Sequence, residues 1–141
     1  MKKIKRIYLA GGCFWGVEEY FSRISGIISS TSGYANGKTE QTTYNRLKET
    51  DHAETVRIVY DPKIISLDYI LDYFFRIIDP ESENKQGNDR GRQYRTGIYY
   101  VDEEDLPTIE NFMKEKSKQY NLAVEVEKLR NFMIAEDYHL D

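Results

Sequence analysis

Ile7 and Leu9 alternate with Tyr8 and Ala10 and lead straight into Gly11-Gly12, a period of two that predicts a strand running into a tight turn. From Cys13 the spacing changes. Val17, Tyr20, Phe21 and Ile24 recur every three or four residues, which predicts a helix with one buried face, stopped by Ser25-Gly26. Ile27 to Thr31 reads as a strand, and Ala35-Asn36-Gly37 as the loop after it. Over Glu54 to Tyr60 the period of two returns, with Val56, Ile58 and Tyr60 on one face and Asp61-Pro62 as the stop. Leu67, Ile70, Leu71, Phe74 and Ile78 give the strongest helical period in the chain, with Ser66 able to cap its start and Asp79-Pro80 closing it. Glu81 to Arg95 is polar and without period. A strand is expected at Gly97 to Val101, then a helix begun by Asp105 and Pro107 that buries Ile109, Phe112 and Met113. Ala123 to Val126 is expected as a last short strand, and the tail after Phe132 as irregular.

The order is strand, helix, strand, strand, helix, strand, followed by a further helix and strand. It predicts an α+β two-layer sandwich: a ferredoxin-like split βαβ core with its helices on one face, plus the additional helix and strand. Residues 1–141, 40% of them hydrophobic, suit one compact domain.

Charge and composition narrow the function classes. Twenty-four acidic against twenty basic residues, a formal charge of -4, lack the basic excess that a phosphate backbone demands, so nucleic acid is not an expected partner. No apolar run reaches the roughly 18 residues needed to cross a bilayer. The basic start Met1 to Arg6 imitates a secretion signal, and the small residues before Cys13 a lipid-modified cysteine. Only the four residues Ile7 to Ala10 follow before the glycines, however, so a cytoplasmic first strand is expected. A single cysteine excludes an intramolecular disulfide.

A lone cysteine is by default a small buried hydrophobe. Position argues for reactivity: Cys13 falls in the first turn of a helix, where unpaired N–H groups favour a thiolate and should lower its pKa, and Gly11 and Gly12 would let a substrate approach the backbone. A phosphate loop fails because Val17-Glu18 stands where lysine and a hydroxyl are required. His52-Ala53-Glu54 opens like a zinc deaminase signature but lacks the paired cysteines. A cysteine hydrolase using His139 or His52 as base remains an enzymatic alternative, and a non-catalytic binding module a further one. Phe14 and Trp15 either plug the core or wall an apolar pocket beside the thiol.

Five ordered blocks resemble the A-type methionine sulfoxide reductases over nearly the whole chain. They are Gly12-Cys13-Phe14-Trp15-Gly16 with Glu18, then Ser32-Gly33-Tyr34-Ala35-Asn36-Gly37, then Thr43-Tyr44 with His52-Ala53-Glu54, Val56 and Tyr60-Asp61-Pro62. Gln86-Gly87-Asn88-Asp89-Arg90-Gly91 with Gln93-Tyr94-Arg95, and Ala135-Glu136-Asp137-Tyr138-His139, complete the set. The resemblance implies that Cys13 is the nucleophile, that Phe14 and Trp15 hold the sulfoxide's methyl group, and that Tyr44, Glu54 and Tyr94 surround its oxygen, with Asp89 ordering the site through hydrogen bonds. Glu54 would be the proton donor, protonated when substrate binds, because the departing oxygen must gain protons. The substrate would be S-epimer methionine sulfoxide, free or in oxidised proteins. No bound cofactor or metal is implied. Many relatives carry further cysteines near the C-terminus; here there are none, so an external thiol from thioredoxin, glutaredoxin or a small reductant should regenerate Cys13. Asn36 stands where a glycine is usual, a change that a left-handed turn tolerates and on which little should hang.

Overall fold

The computed structural model describes residues 4–136. Strand β1 (Lys5–Gly11) leads through Gly12 and Cys13 into α1 (Phe14–Ser22), and β2 (Ile27–Ala35) follows. A 3-10 turn at Tyr44–Arg46 runs into the short α2 (Leu47–Thr50), then come β3 (Ala53–Tyr60) and α3 (Leu67–Phe75). A two-residue hairpin, β4 (Lys85–Gln86) and β5 (Asp89–Arg90), and a 3-10 turn at Arg92–Tyr94 precede β6 (Thr96–Tyr100). The last elements among the described residues are α4 (Leu106–Lys116), β7 (Glu125–Lys128) and β8 (Phe132–Ile134).

Six strands form one sheet in the order β7-β6-β1-β3-β2-β8. The inner four are antiparallel neighbours in the ferredoxin-like arrangement expected, and β7 joins β6 in parallel. One face carries the helices, and Ile7, Leu9, Val56, Ile58 and Ile98 meet Phe14, Phe21, Ile70, Leu71, Phe74 and Ile109 there in the main core. As predicted, Ser66 caps α3 by accepting from the Tyr69 N–H.

Several boundaries differ from the expectation. α1 ends at Ser22, so Ile24 lies in the following turn, and Tyr20 and Ile24 are only half-buried. The start of the tail is not irregular as expected: Phe132–Ile134 form β8, which pairs with Gly33 to Ala35, a stretch whose Ser-Gly composition hides its strand character, and the tail beyond 136 lies outside the described residues. Gly33 is required there because any Cβ would run into the Phe132 ring.

The second face of the sheet is also covered. Only three residues, 129–131, link β7 at one edge to β8 at the other. That link spans at most about 15 Å, whereas the outer strands of a flat six-stranded sheet lie about 24 Å apart. The sheet must therefore curl. Leu129 and Phe132 pack with Tyr8, Ala10, Ala35, Ala53 and Tyr99 inside the curl, and the link is held by Leu129 N–H on Tyr100 O at 2.8 Å and Asn36 N–H on Asn131 O at 3.1 Å.

Asn36 carries more than expected. Its φ of 54° is left-handed, and its buried side chain donates to Lys128 O at 3.1 Å and accepts from the Arg130 N–H at 2.6 Å. Arg95, 5% exposed, donates to the backbone oxygens of Asn36, Asp51 and Arg92 from the other side.

Candidate active site

Antiparallel pairing explains why residues distant in sequence meet at one end of the sheet. With Leu9 opposite Val56 and Gly11 opposite Thr96, the end of β1 lies beside the starts of β3 and β6. Cys13 at the end of that path thus faces Glu54 from β3 and the Gln93-Tyr94 segment entering β6.

Cys13 is exposed and occupies the N-cap of α1 rather than its first turn. The expectation of a lowered pKa is overturned. Partial burial pushes the thiol above its ordinary 9.0; the Trp15 and Gly16 N–H groups pull the other way, but the charges of Glu54 and Asp89 add to the rise. Gly11 and Gly12 have a packing reason beside the expected substrate approach. A Cβ on Gly11 would meet Phe74 at 2.8 Å, and one on Gly12, where φ is +85°, would lie 2.6 Å from Gln86 Cβ. They let α3 and the Gln86 side chain pack under the turn. Gln86 in turn bonds both backbone groups of Asp79 and the Thr96 hydroxyl.

Glu54 is not a solvated strand residue. It continues the Val56-Ile58-Tyr60 stripe into the core and is 2% exposed. The Phe14 N–H approaches Oε1 at 3.4 Å and the Gln93 amide donates to Oε2 at 3.1 Å. Burial, helped by the Asp89 charge and opposed by the two donors, raises its pKa from 4.5 to about 7. At neutral pH this carboxyl can therefore both hold and release a proton.

Tyr44 and Tyr94 are half-buried, and their hydroxyls lie 3.3 Å apart. Burial and the Tyr44 hydrogen bond keep Tyr94 protonated well above its usual range. Asp89, on β5, makes no side-chain hydrogen bond among the described residues and reaches Cys13, Glu54 and Tyr94 as charge alone. Phe14 is 2% exposed and packs edge-on to half-buried Trp15 with centroids 5.0 Å apart.

Three side chains have a part that the sequence did not disclose. Gln93 grips Glu54. Glu136 accepts from the Tyr34 hydroxyl at 2.6 Å and the Tyr44 N–H at 3.0 Å, anchoring the Tyr44 segment. Glu18 accepts from both the N–H and hydroxyl of Ser32, tying α1 to β2. Gln93 and Glu136 stand inside blocks of the resemblance, but no spacing rule links them to their partners.

His52 is fully buried, with Nδ1 2.8 Å from the Thr50 hydroxyl, and any Cβ at Gly37 would overlap its ring. It is a packing residue with no bond to Cys13 among the described residues. His139 lies outside the described residues. Among them no group of His, Cys, Asp and Glu could hold a metal, and no helix is long and apolar enough to cross a membrane. The lipid-anchor alternative requires cleavage before Cys13, which would remove β1, a strand paired on both sides.

A family model described as peptide methionine sulfoxide reductase matches residues 5–141. The chain belongs to that family. Mxr1 from Saccharomyces cerevisiae in its reduced form is similar at 38% identity with a TM-score of 0.90, over 97% of this chain and 82% of that one. Methionine sulfoxide reductase A of Corynebacterium diphtheriae is similar at 27% identity and a TM-score of 0.89, over 99% and 73%. Mxr1 in complex with Trx2 gives 30% identity and a TM-score of 0.73, over 99% and 86%. The mixed α+β fold with its six-stranded sheet is the fold of these reductases, and the activity is thiol-based reduction of methionine sulfoxide. The hydrolase and binding-module alternatives give way to that membership.

Proposed function

We propose that residues 1–141 act as one catalytic unit that reduces the S epimer of methionine sulfoxide, with Cys13 as nucleophile and Glu54 as proton donor. The observation that carries the reading is the buried Glu54 carboxyl, poised near neutrality across from the one thiol in the chain.

In this reading the sulfoxide's methyl group rests against Trp15 over the Phe14 floor, and its oxygen lies toward Glu54, Tyr44 and Tyr94. Two hydroxyls 3.3 Å apart suit a developing oxyanion, since each can turn its proton to the same point. Attack by the Cys13 sulfur on the sulfoxide sulfur moves the oxygen: the thiol and the sulfoxide become a sulfenic acid and a thioether, so Cys13 is oxidised as methionine is reduced. Glu54 passes a proton to the oxygen as it leaves methionine. A first external thiol then condenses with the sulfenic acid, releasing water and forming a mixed disulfide, and a second thiol restores Cys13.

Dependence on an outside thiol follows from the single cysteine, and the yeast relative captured with Trx2 makes a thioredoxin a fitting donor; glutaredoxin or a small thiol has the same chemistry. A cytoplasmic location, where such thiols are kept reduced, fits this dependence. Incubation with each resolved epimer of N-acetyl methionine sulfoxide and dithiothreitol tests the proposal. Methionine should form from the S epimer alone; no product from it while Cys13 remains alkylatable would sink the reading.

A further inference from the structure

The two segments that carry Tyr44 and Tyr94 continue into a second cavity. Lys48 lies one helical turn beyond Tyr44, and Arg90 four residues before Tyr94. Between them a pocket of about 290 Å³ is lined by Leu47, Lys48, Asp51, Arg90, Arg92 and Gln93 with Gly91. Gln93 is shared with the catalytic centre, because its amide donates to Glu54 Oε2. Gln93 therefore stands between the pocket and the proposed proton donor, and one or two residues of extended peptide, at about 3.4 Å each, span the length of one side chain.

Its charge runs against that of the whole protein. Asp51 is held by Arg92 through bonds of 2.7 and 3.0 Å, with buried Arg95 3.7 Å away. Glu49, on the same turn, pairs with Arg46. Asp89, beside Arg90, directs its charge at the catalytic groups. Lys48 and Arg90 are exposed and make no ion pair among the described residues, leaving two uncompensated cations on a chain of net charge -4.

We propose that this pocket is a carboxylate subsite that selects oxidised methionines with an aspartate or glutamate within two residues in the peptide. The inference rests on the reductase reading, and on Lys48 and Arg90 as its specificity-determining residues. Arg92, turned onto Asp51, fixes the pocket wall.

Blocked pentapeptides with S-methionine sulfoxide at the centre and Asp, Ala or Lys on both sides provide the test, with dithiothreitol as reductant. At low ionic strength kcat/KM should run Asp above Ala above Lys, with about a five-fold difference between the extremes, as expected for two exposed charge contacts. The preference should shrink with added salt. In Lys48→Gln/Arg90→Gln the ratio of Asp to Lys peptide should fall to about one while the variant still reduces N-acetyl S-methionine sulfoxide. Equal rates for the three peptides with the wild-type protein, or a preference that survives in the double variant, each overturn the subsite. Failure of the wild-type protein to reduce the Ala peptide while it reduces N-acetyl S-methionine sulfoxide also overturns the subsite; failure on both would instead overturn the reductase reading itself.

Discussion

A carboxyl group at the core end of a strand costs stability when charged and gains chemistry for the same reason. Glu54 holds its proton more tightly folded than unfolded, about 7 against 4.5. Its stabilising contribution is therefore full below about pH 4.5 and is lost as pH rises through 7, a change on the order of 3 kcal/mol. Glu54→Gln should accordingly stabilise the protein at pH 8 to 9 by about 1–3 kcal/mol in urea unfolding, with the gain vanishing near pH 4, while turnover collapses. A second prediction concerns rate. With Glu54 near 7 and the Cys13 thiol pushed up by burial, the two share a single proton above neutrality, and the proposed pairing of thiolate with protonated Glu54 belongs to that state. kcat/KM should plateau there and fall on both sides. Gln93→Leu removes a donor to the carboxylate, so the acid limb should move to higher pH; an unmoved limb would exclude Gln93 from positioning Glu54. Glu54 could have been read as buried from its place in the Val56-Ile58-Tyr60 stripe. The direction of the Cys13 shift could not, since it depends on burial and on charges brought from β3 and β5.

At the scale of elements, the period-two and period-three-and-a-half stretches announce β1, β3, α3 and β6 because each buries one face against the same core. The pieces that sequence pattern does not reveal are those whose partners are distant. β8 has three residues and exists through pairing with β2, and the Tyr44–Thr50 turns hold the catalytic tyrosine proposed here through Glu136. Asn36 joins such pieces. Asn36→Ala should lower stability by about 2–4 kcal/mol, through two lost hydrogen bonds and a side chain forced to positive φ. Asn36→Gly, which relieves the backbone but still loses the bonds, should cost about half as much. Thermal unfolding of both variants checks the order; equal losses would mean that backbone strain contributes nothing at this position.

For the whole molecule, the curl of the sheet and the short link 129–131 bring the last strand back beside the first helix, so the groove between Trp15, Glu18, Ser32, Ile134 and Glu136 joins both ends of the chain. The ferredoxin-like order of the four inner strands was legible in the succession of elements; the closure was not, because it follows from the shortness of one link rather than from any periodic pattern. With one cysteine in 141 residues, the proposed reaction should stop after a single oxygen transfer unless another molecule intervenes. The most direct measurement is a single turnover without reductant, with S-methionine sulfoxide in excess. One methionine should form per chain, with a mass increase of one oxygen located at Cys13, and turnover should resume only when a thiol is added. Methionine formed by Cys13→Ser, or continued turnover without thiol, would contradict this mechanism.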